Sequence, residues 1–220
     1  MFNVLIPRGV KRMIASKMEN LFVAMRGEIE AEIPKVPLHQ KHINNLKVIL
    51  YRDLMLESFP KNAVVAEIGV HKGQYSQFIY KITSPAKLHF IDLWSNGAPD
   101  KAQQEVEDKF KNEIDSGRVE LHIGYSTEWI PKFADHYFDW VYLDTDHSYS
   151  LTAKELALLQ HKIKPGGILA GHDYTVGNWV SGTRYGVIEA VHEFCVNENW
   201  EIIYLTIETH SFRSFALRKI

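Results

Sequence analysis

The stretch Val64-Val65-Ala66-Glu67-Ile68-Gly69-Val70-His71-Lys72-Gly73 decides the fold. Its first five residues are apolar except for Glu67, which is typical of a buried strand. The glycines at 69 and 73 let the backbone turn tightly and approach a ligand, and the helix expected next offers free N–H groups. So short a glycine pattern also fits an ordinary strand-to-helix turn. Glu67 favours ligand binding, because a carboxylate in an apolar strand is costly unless it is paired.

Strand and helix patterns alternate from this stretch onward. Each β-rich run precedes a longer amphipathic stretch, and the first five runs are residues 64–68, 88–92, 119–123, 140–144 and 168–171. Five such units imply parallel strands, right-handed crossovers and helices on both faces. Residues 201–207 and 212–217 are too close for a crossover helix and should form an antiparallel hairpin. The sequence therefore predicts a Rossmann-like α/β fold with a seven-stranded, mostly parallel sheet.

The first 62 residues differ from the rest of the chain. Apolar residues recur at helical spacing over 14–25 and over 43–55, and Pro34 and Pro37 separate these two candidate helices. We expect residues 1–62 to form a helical extension and residues 63–220 to form the main domain. The extension either covers a binding pocket or joins copies of the chain into a homo-oligomer. Association of its basic helix with a membrane surface is a further alternative.

Composition and charge limit the functions open to the chain. Its 220 residues suit one domain, and 45% apolar with 24% charged residues is an ordinary globular composition. A formal net charge of −2 provides no basic field for nucleic acid. No apolar run approaches the ~20 residues of a membrane span, and we expect no secretory signal. Cys195, the single cysteine, is interpreted as a core residue of a cytoplasmic protein with small-molecule partners.

Polar residues follow the second and third strands. Asp92 ends the run 88–92, where it is placed to accept hydrogen bonds from two ribose hydroxyls, as in dinucleotide folds. A solvated strand-end aspartate is the alternative. Ser126 follows the third strand and either caps the next helix or lines an adenine pocket. Together with the glycine turn, these residues indicate a nucleoside pocket at the carboxyl edge of the sheet.

Titratable residues cluster after the fourth and fifth strands. Asp144, Asp146 and His147 lie within four residues, and strand alternation places the two carboxylates on one side. Adjacent carboxylates raise one another's pKa or share a cation, although a polar loop that caps the next helix is the alternative. His172 and Asp173 reach the same sheet edge, so Asp144, His172 and Asp173 could hold one divalent ion. Otherwise His172 is a hydrogen-bonded structural group.

The order and spacing of these motifs resemble class I S-adenosylmethionine-dependent methyltransferases over residues 63–220. The resemblance is carried by Glu67-x-Gly69-x-x-x-Gly73, Asp92, residues 144–149, residues 164–167 and the terminal hairpin. Asp144-Thr-Asp-His-Ser-Tyr149, followed by Pro165-Gly-Gly-x-x-x-x-His-Asp-Tyr174, is similar to small-molecule and sugar O-methyltransferases, the branch that includes antibiotic-tailoring enzymes.

The resemblance implies a cofactor site made of matching residues. Glu67, Gly69 and Gly73 would surround the methionine part of S-adenosylmethionine, and Asp92 would bind its ribose hydroxyls. Ser126 and Asp144 complete the expected cofactor-binding set.

The resemblance also implies roles in catalysis. In metal-dependent members of the branch, the matching positions make Asp144 and Asp173 ligands of Mg or Mn and Asp146 the base that takes the substrate proton. His172 departs from the pattern, because those relatives commonly have a carboxylate there. Metal dependence is therefore open, and without an ion His147 or His172 becomes the candidate base.

We therefore expect an O-methyltransferase for a hydroxylated small molecule, such as a sugar or a glycosylated metabolite. A non-catalytic cofactor-binding or assembly subunit with the same fold is one alternative. A nicotinamide-dependent oxidoreductase is another, disfavoured because G-x-G-x-x-G is absent. Residues 174–185, which include Trp179 and Arg184, form either a substrate lid, with Arg184 meeting a substrate anion, or an ordinary surface loop.

Overall fold

The computed structural model describes residues 7–94, 101–178, 180–209 and 211–220, apart from the side chains at positions 22, 26 and 29. The chain forms two compact units that divide after residue 35. The first contains helix α1 (Arg8–Glu32), where apolar side chains such as Met13 and Met18 are exposed. Among the described residues, no helix, including this one of 25 residues, is both long and apolar enough to cross a bilayer.

The second unit, Val36–Ile220, alternates strands and helices. Its described strands are β1 (Lys47–Ile49), β2 (Val64–Ile68), β3 (Lys87–Asp92), β4 (Val119–Ile123), β5 (Phe138–Leu143), β6 (Ile163–Gly171), β7 (Gly177–Asn178), β8 (Thr183–Arg184), β9 (Trp200–Thr206) and β10 (Phe215–Lys219). Its described α-helices are α2 (Arg52–Glu57), α3 (Gln74–Thr83), α4 (Lys101–Lys109), α5 (Lys111–Asp115), α6 (Ser126–Trp129), α7 (Tyr149–Leu159) and α8 (Val187–Glu198).

Eight of these strands form one sheet in the order β1-β9-β10-β6-β5-β2-β3-β4. Strands β2 to β6 are mutually parallel, whereas β10 is antiparallel to both β6 and β9. The seven predicted strands are all present, and the predicted mostly parallel sheet with an antiparallel terminal hairpin is confirmed. The strand order reverses between β2 and β5, and ligands of such sheets bind beyond the carboxyl ends of the strands at this point.

Both faces of the sheet are buried. Alternate residues of the central strands face opposite sides, and each side packs against its own set of helices. Val65, Trp140 and Tyr142 belong to the apolar cluster that includes residues of α2, α3 and α4. Ala66 and Val141 belong to the second cluster, which includes residues of α7 and α8. With both faces covered, the strand ends are where the sheet meets a ligand.

Cys195 of α8 lies in the second cluster and is fully buried. Burial raises the pKa of its thiol to about 12. A thiol that is buried and protonated is a poor nucleophile, so the interpretation of Cys195 as a core residue is confirmed.

The segment 43–55 is not the helix that its periodicity predicts. Its middle forms β1, which pairs in parallel with residues 204–206 of β9, and helix α2 begins only at Arg52. The edge of β9 offers unpaired backbone groups, and pairing with β1 satisfies them, which outweighs a weak helical periodicity. Both β1 and α2 belong to the compact unit Val36–Ile220. The expected separate role of residues 1–62, as a cover over a binding pocket or as an oligomer contact, stays a prediction.

Candidate functional site

The carboxyl ends of β2, β3, β4 and β5 surround a cavity of about 530 Å³, a size typical of small-molecule sites. Five predicted site residues line it, namely Gly69, Asp92, Ser126, Asp144 and Asp146. Apolar side chains, including those of Ile91, Trp94 and Leu151, line much of the rest. An apolar cavity with a few polar groups suits a nucleoside, as the sequence predicts.

Two glycines shape the turn after β2. Gly69 has φ of +86°, and a Cβ at this position would lie 1.8 Å from the carbonyl oxygen of Asp144. Only glycine fits here, because the backbone of the loop after β5 occupies the space of a side chain. Gly73 precedes α3 with φ of +67°, in the left-handed region that favours glycine. Gly69 therefore lets this turn pass close to the loop after β5, and Gly73 supplies the left-handed residue before α3.

The carboxylate of Asp92 holds the same turn in place. Its Oδ2 accepts hydrogen bonds from the backbone N–H groups of Val70 and His71, both at 2.7 Å. Its Oδ1 accepts one from the N–H of Trp94 at 3.1 Å. A carboxylate oxygen has room for more than one bond, so Oδ1 can still accept from a ligand hydroxyl in the cavity. Asp92 thus has a structural role that the sequence does not reveal, and its role in binding ribose hydroxyls stays a prediction.

Glu67 lies beneath the turn as a buried carboxylate. It is 2% exposed, and its Oε2 has no hydrogen-bond partner among the described residues. Burial raises the pKa of Glu67 to about 8. Glu67 lines a second cavity of about 330 Å³ together with Arg52, Asp144 and His147. Because an unpartnered buried carboxylate is costly, its position points to a cationic group of a ligand.

Asp144, His147, His172 and Asp173 converge beside these cavities. His147 Nε2 lies 2.5 Å from Asp173 Oδ2 and 3.4 Å from Asp144 Oδ1. His172 Nδ1 lies 3.0 Å from Asp173 Oδ2 and 3.7 Å from Asp144 Oδ2. The structure therefore brings together the three residues predicted as metal ligands and adds His147, which the sequence places among the candidate bases. We call these four residues the acid–base cluster.

The charges of the acid–base cluster depend on one another. Burial lowers the pKa of His147, but hydrogen bonds to Asp144 and Asp173 outweigh burial and raise this pKa to about 10. Burial likewise opposes ionisation of Asp173, yet hydrogen bonds from His147 and His172 hold the pKa of Asp173 well below its usual range. His147 and Asp173 also adopt φ of +67° and +57°. Such backbone strain in non-glycine residues is frequent at functional sites.

The donor atoms of the cluster also fit a divalent ion. One ligand atom each from Asp144, His147 and Asp173 lie within 4.8 Å of one another. Two carboxylates with an imidazole suit Mn²⁺ better than Mg²⁺, which prefers oxygen ligands alone. The ion and the His147 ring would use the same carboxylate oxygens, so the ion competes with the contacts seen here.

Asp146 is exposed and serves the turn into α7. Its Oδ1 accepts hydrogen bonds from the N–H and the hydroxyl of Ser148, both at 2.8 Å. Ser148 in turn caps α7 by accepting a hydrogen bond from the N–H of Leu151. Asp146 lines the cavity of about 530 Å³ together with Asp144. The ligand atoms that lie within 4.8 Å of one another, however, come from Asp144, His147 and Asp173. The role of Asp146 as the base stays a prediction.

Glu155 of α7 is a site residue that the sequence analysis misses. Its fully buried carboxylate accepts hydrogen bonds from Ser126 Oγ at 2.5 Å and Thr145 Oγ1 at 2.8 Å. Burial raises the pKa of Glu155 to about 7, although these two bonds lower it. Ser126 therefore binds Glu155, and its alternative role as a helix cap is wrong. The available signal is a charged residue beside Leu156 on the apolar face of an expected helix.

The segment 174–185 contains a short antiparallel hairpin of β7 and β8, while Trp179 lies outside the described residues. Tyr185 stacks on the His147 ring with the ring centroids 4.6 Å apart. Arg184 forms an ion pair with Glu189 of α8 at 2.5 Å, and its expected contact with a substrate anion stays a prediction. Tyr185 joins this segment to the acid–base cluster.

Comparisons with known proteins agree with this geometry. Residues 66–174 match the family model of a methyltransferase domain. A solved S-adenosylmethionine-dependent methyltransferase from Aquifex aeolicus is 14% identical with a TM-score of 0.56, over 87% of this chain and 96% of that one. A putative rRNA-methylase from Clostridium thermocellum is 16% identical with a TM-score of 0.57, over 77% and 95%. No curated protein matches the chain.

A third solved structure, the pyocyanin biosynthetic protein PhzM, is 12% identical with a TM-score of 0.55 over 73% of this chain. The chain spans about half of PhzM, 51% of its length. At such identities the likeness concerns the fold.

The mostly parallel sheet with its antiparallel terminal hairpin gives the chain the same fold as these solved methyltransferases. The segment that matches the methyltransferase family model, residues 66–174, runs from β2 to the end of β6 and just beyond it.

Proposed function

We propose that this protein transfers the methyl group of S-adenosylmethionine to a hydroxyl of a small molecule, such as a sugar or a glycosylated metabolite. One observation carries the proposal: Asp144 lines both cavities and also contacts His147 in the acid–base cluster. Cofactor, acceptor and proton-accepting groups would then meet at one residue. Methyl transfer needs such an arrangement, because the nucleophile must be aligned with the methyl carbon while water is excluded.

The residues present fit the cofactor. The unpartnered oxygen of Glu67 suits the ammonium group of its methionine part, and Asp92 suits the ribose hydroxyls. Gly69 lets the backbone come close, and Ser126 lies on the wall of the larger cavity. When bound, S-adenosylmethionine supplies a methyl group on a cationic sulfur.

Transfer forms a carbon–oxygen bond and breaks a carbon–sulfur bond. The sulfur keeps the bonding electrons and becomes a neutral thioether, while the hydroxyl proton passes to a group of the protein. We propose His147 and Asp146 as the two candidate acceptors. Although burial lowers the pKa of His147, its contacts with Asp144 and Asp173 raise this pKa to about 10, so His147 accepts a proton at neutral pH only once those contacts are released. The two candidates can be separated by mutation, because His147 contacts Asp173 whereas Asp146 bonds Ser148.

We also propose that a Mg or Mn ion binds to the protein. Asp144 and Asp173 would be two of its ligands, and either His172 or His147 would be the third ligand. A bound divalent ion lowers the pKa of a hydroxyl and fixes its position. The acceptor is proposed as a small molecule and not a nucleic acid, because the net charge of −2 offers no basic field.

Calorimetric titration tests the cofactor. The purified protein is titrated with S-adenosylmethionine and S-adenosylhomocysteine, after chelation and again with Mg²⁺ or Mn²⁺, with NAD as the control. We expect both sulfur compounds to bind and NAD not to bind. Binding of NAD alone would support the nicotinamide-dependent oxidoreductase, and no binding by folded protein would reject the proposal.

Glu67 provides a sharper readout in the same titration. An ammonium group beside this carboxylate favours its ionised form, so binding at pH 7 should release up to about one proton. Proton release appears as a dependence of the binding heat on the ionisation enthalpy of the buffer. The variant Glu67→Gln should bind more weakly without this dependence, whereas the exposed control Glu57→Gln should behave as the wild type.

Turnover tests the chemistry. Hydroxylated small molecules, with RNA as a control acceptor, are assayed for methylation by wild type, Asp146→Asn and His147→Gln. Loss of turnover with unchanged S-adenosylhomocysteine affinity identifies the base, and full activity in both variants would exclude both candidates. Cofactor binding without methylation of any acceptor would favour the non-catalytic subunit.

A further inference from the structure

A second group of metal-ligating side chains lies at the sheet edge formed by β3 and β4. His89 comes from β3, and Glu120 and His122 come from β4. His89 is the register partner of Glu120, so both side chains extend from the same face of the sheet. None of the three lines the cavity of about 530 Å³, and the proposed methyl transfer uses none of them.

The distances within this group are those of a metal site. His89 Nδ1 lies 2.9 Å from His122 Nε2 and 3.5 Å from Glu120 Oε2, and the third edge, from His122 Nε2 to Glu120 Oε2, is 3.9 Å. Ligand atoms at 2.0–2.2 Å from a tetrahedral metal are about 3.3–3.6 Å apart. The three observed distances span that range, so small rotations of the Glu120 and His122 side chains would close the triangle around an ion.

The facing histidine nitrogens share at most one proton. At 2.9 Å one ring donates and the other accepts, and an ion between them would replace this proton and be bound by both lone pairs. The second nitrogen of His89 lies 3.1 Å from the hydroxyl of Tyr137. Such a partner on the far nitrogen is typical of metal-bound histidine, because it fixes the ring orientation and the tautomer.

The surroundings leave one side of the group open to solvent. His89 is buried, whereas the side chain of Glu120 is 47% exposed. Glu120 and His122 line a cavity of about 670 Å³ whose wall also carries the carboxylates of Glu107 and Asp108. These acidic groups attract a cation, whereas the charge of Lys87 repels one. Lys87 pairs with Oε1 of Glu120, so Oε2 of Glu120 remains directed toward the two histidine rings.

We propose that His89, Glu120 and His122 bind a divalent transition metal of the zinc type, with a fourth position open to solvent. Two imidazoles and one carboxylate select such ions over Mg²⁺ and Ca²⁺, which prefer oxygen ligands. The ion would tie the edge strand β4 to β3, a few residues before Asp92 at the end of β3 and Ser126 at the start of α6. It would therefore support the wall of the cofactor cavity without entering it.

Zinc titration of the full chain tests the proposal in a background that removes the acid–base cluster as a competing site. Asp144→Asn and Asp173→Asn are combined for this purpose, and the chelated protein is titrated with Zn²⁺ by calorimetry. We expect one equivalent to bind in this background. Failure of the folded background protein to bind Zn²⁺ would overturn the proposal.

Three further variants in that background locate the ion. Glu120→Gln, on a half-exposed side chain, and His122→Ala should each weaken Zn²⁺ binding by more than ~100-fold, and Tyr137→Phe by about 10–100-fold. His161→Ala, an exposed histidine elsewhere, is the control and should change nothing. Circular dichroism checks that each variant is folded. Unchanged affinity in folded Glu120→Gln and His122→Ala would place the ion elsewhere and refute the assignment.

Discussion

Gly69→Ala tests how closely the turn after β2 packs against the loop after β5. The new Cβ would lie 1.8 Å from the carbonyl oxygen of Asp144, whereas such contacts are essentially never under 3.0 Å. The two backbones must therefore separate. That movement weakens the hydrogen bond that the N–H of Asp144 donates to the carbonyl of Ile68 at 2.7 Å.

Three costs set the size of the effect. A positive φ in an L-residue costs about 1–2 kcal/mol, and overpacking costs about 1–3 kcal/mol. Weakening one buried hydrogen bond adds about 1 kcal/mol. The free energy of unfolding should thus fall by roughly 3–6 kcal/mol. For a chain of this size, 1 kcal/mol shifts the Tm by about 2–4 °C, so we expect the Tm to decrease by roughly 6–24 °C.

Gly117→Ala is the matched control. Gly117 has φ of +73°, but a Cβ there would meet nothing within 4 Å, so only the conformational cost of about 1–2 kcal/mol applies. Urea and thermal denaturation of both variants measure the difference. Affinity for S-adenosylhomocysteine should fall in Gly69→Ala and stay unchanged in Gly117→Ala. Equal losses of stability in the two variants would refute the close approach of the two backbones.

Three carboxylates of the site give further predictions. Asp92→Ala should weaken S-adenosylhomocysteine binding at least ~10-fold by calorimetry, and unchanged affinity would exclude its cofactor role. The raised pKa of Glu67, about 8, means that its stabilisation is present below pH 4.5 and lost as the pH rises through 8. Glu67→Gln should therefore gain roughly 2–4 kcal/mol over wild type between pH 5 and 8.5 in urea denaturation, and a constant difference would contradict this. Glu155→Leu leaves the hydroxyls of Ser126 and Thr145 without their acceptor, so cofactor affinity should fall about 10-fold. A stability loss with unchanged affinity would limit Glu155 to a structural role.

The sheet is predictable because buried parallel strands are short apolar runs that stop at polar residues. Strand β5 shows this pattern: it ends at Leu143, one residue before the predicted end at Asp144. Strand β2 covers the predicted residues 64–68 and stops at Gly69. Strand β1 shows no such pattern, since it has three residues, none of them buried. It forms only because β9, far along the chain, offers an edge to pair with. A contact of this kind leaves no local signal in the sequence.

The site is predictable to the level of strand ends and not to the level of side-chain contacts. Topology brings Asp144 and Asp173 to one edge, and the sequence is sufficient for that step. Which neighbour joins them depends on local backbone angles: His147, with φ of +67°, reaches Asp173, whereas Asp146 turns to Ser148. Strand alternation cannot foresee this, because the strand has ended before these residues.

Asp144 connects the turn after β2 to the acid–base cluster. Its N–H bonds the carbonyl of Ile68, its carbonyl oxygen abuts Gly69, and its carboxylate contacts His147. Any displacement of the turn is therefore transmitted to the carboxylate through a single residue. Variants at Gly69 should accordingly lower cofactor affinity and turnover together, whereas variants at Asp173, on the far side of His147, should lower turnover alone. That asymmetry follows from the contacts whichever group proves to be the base.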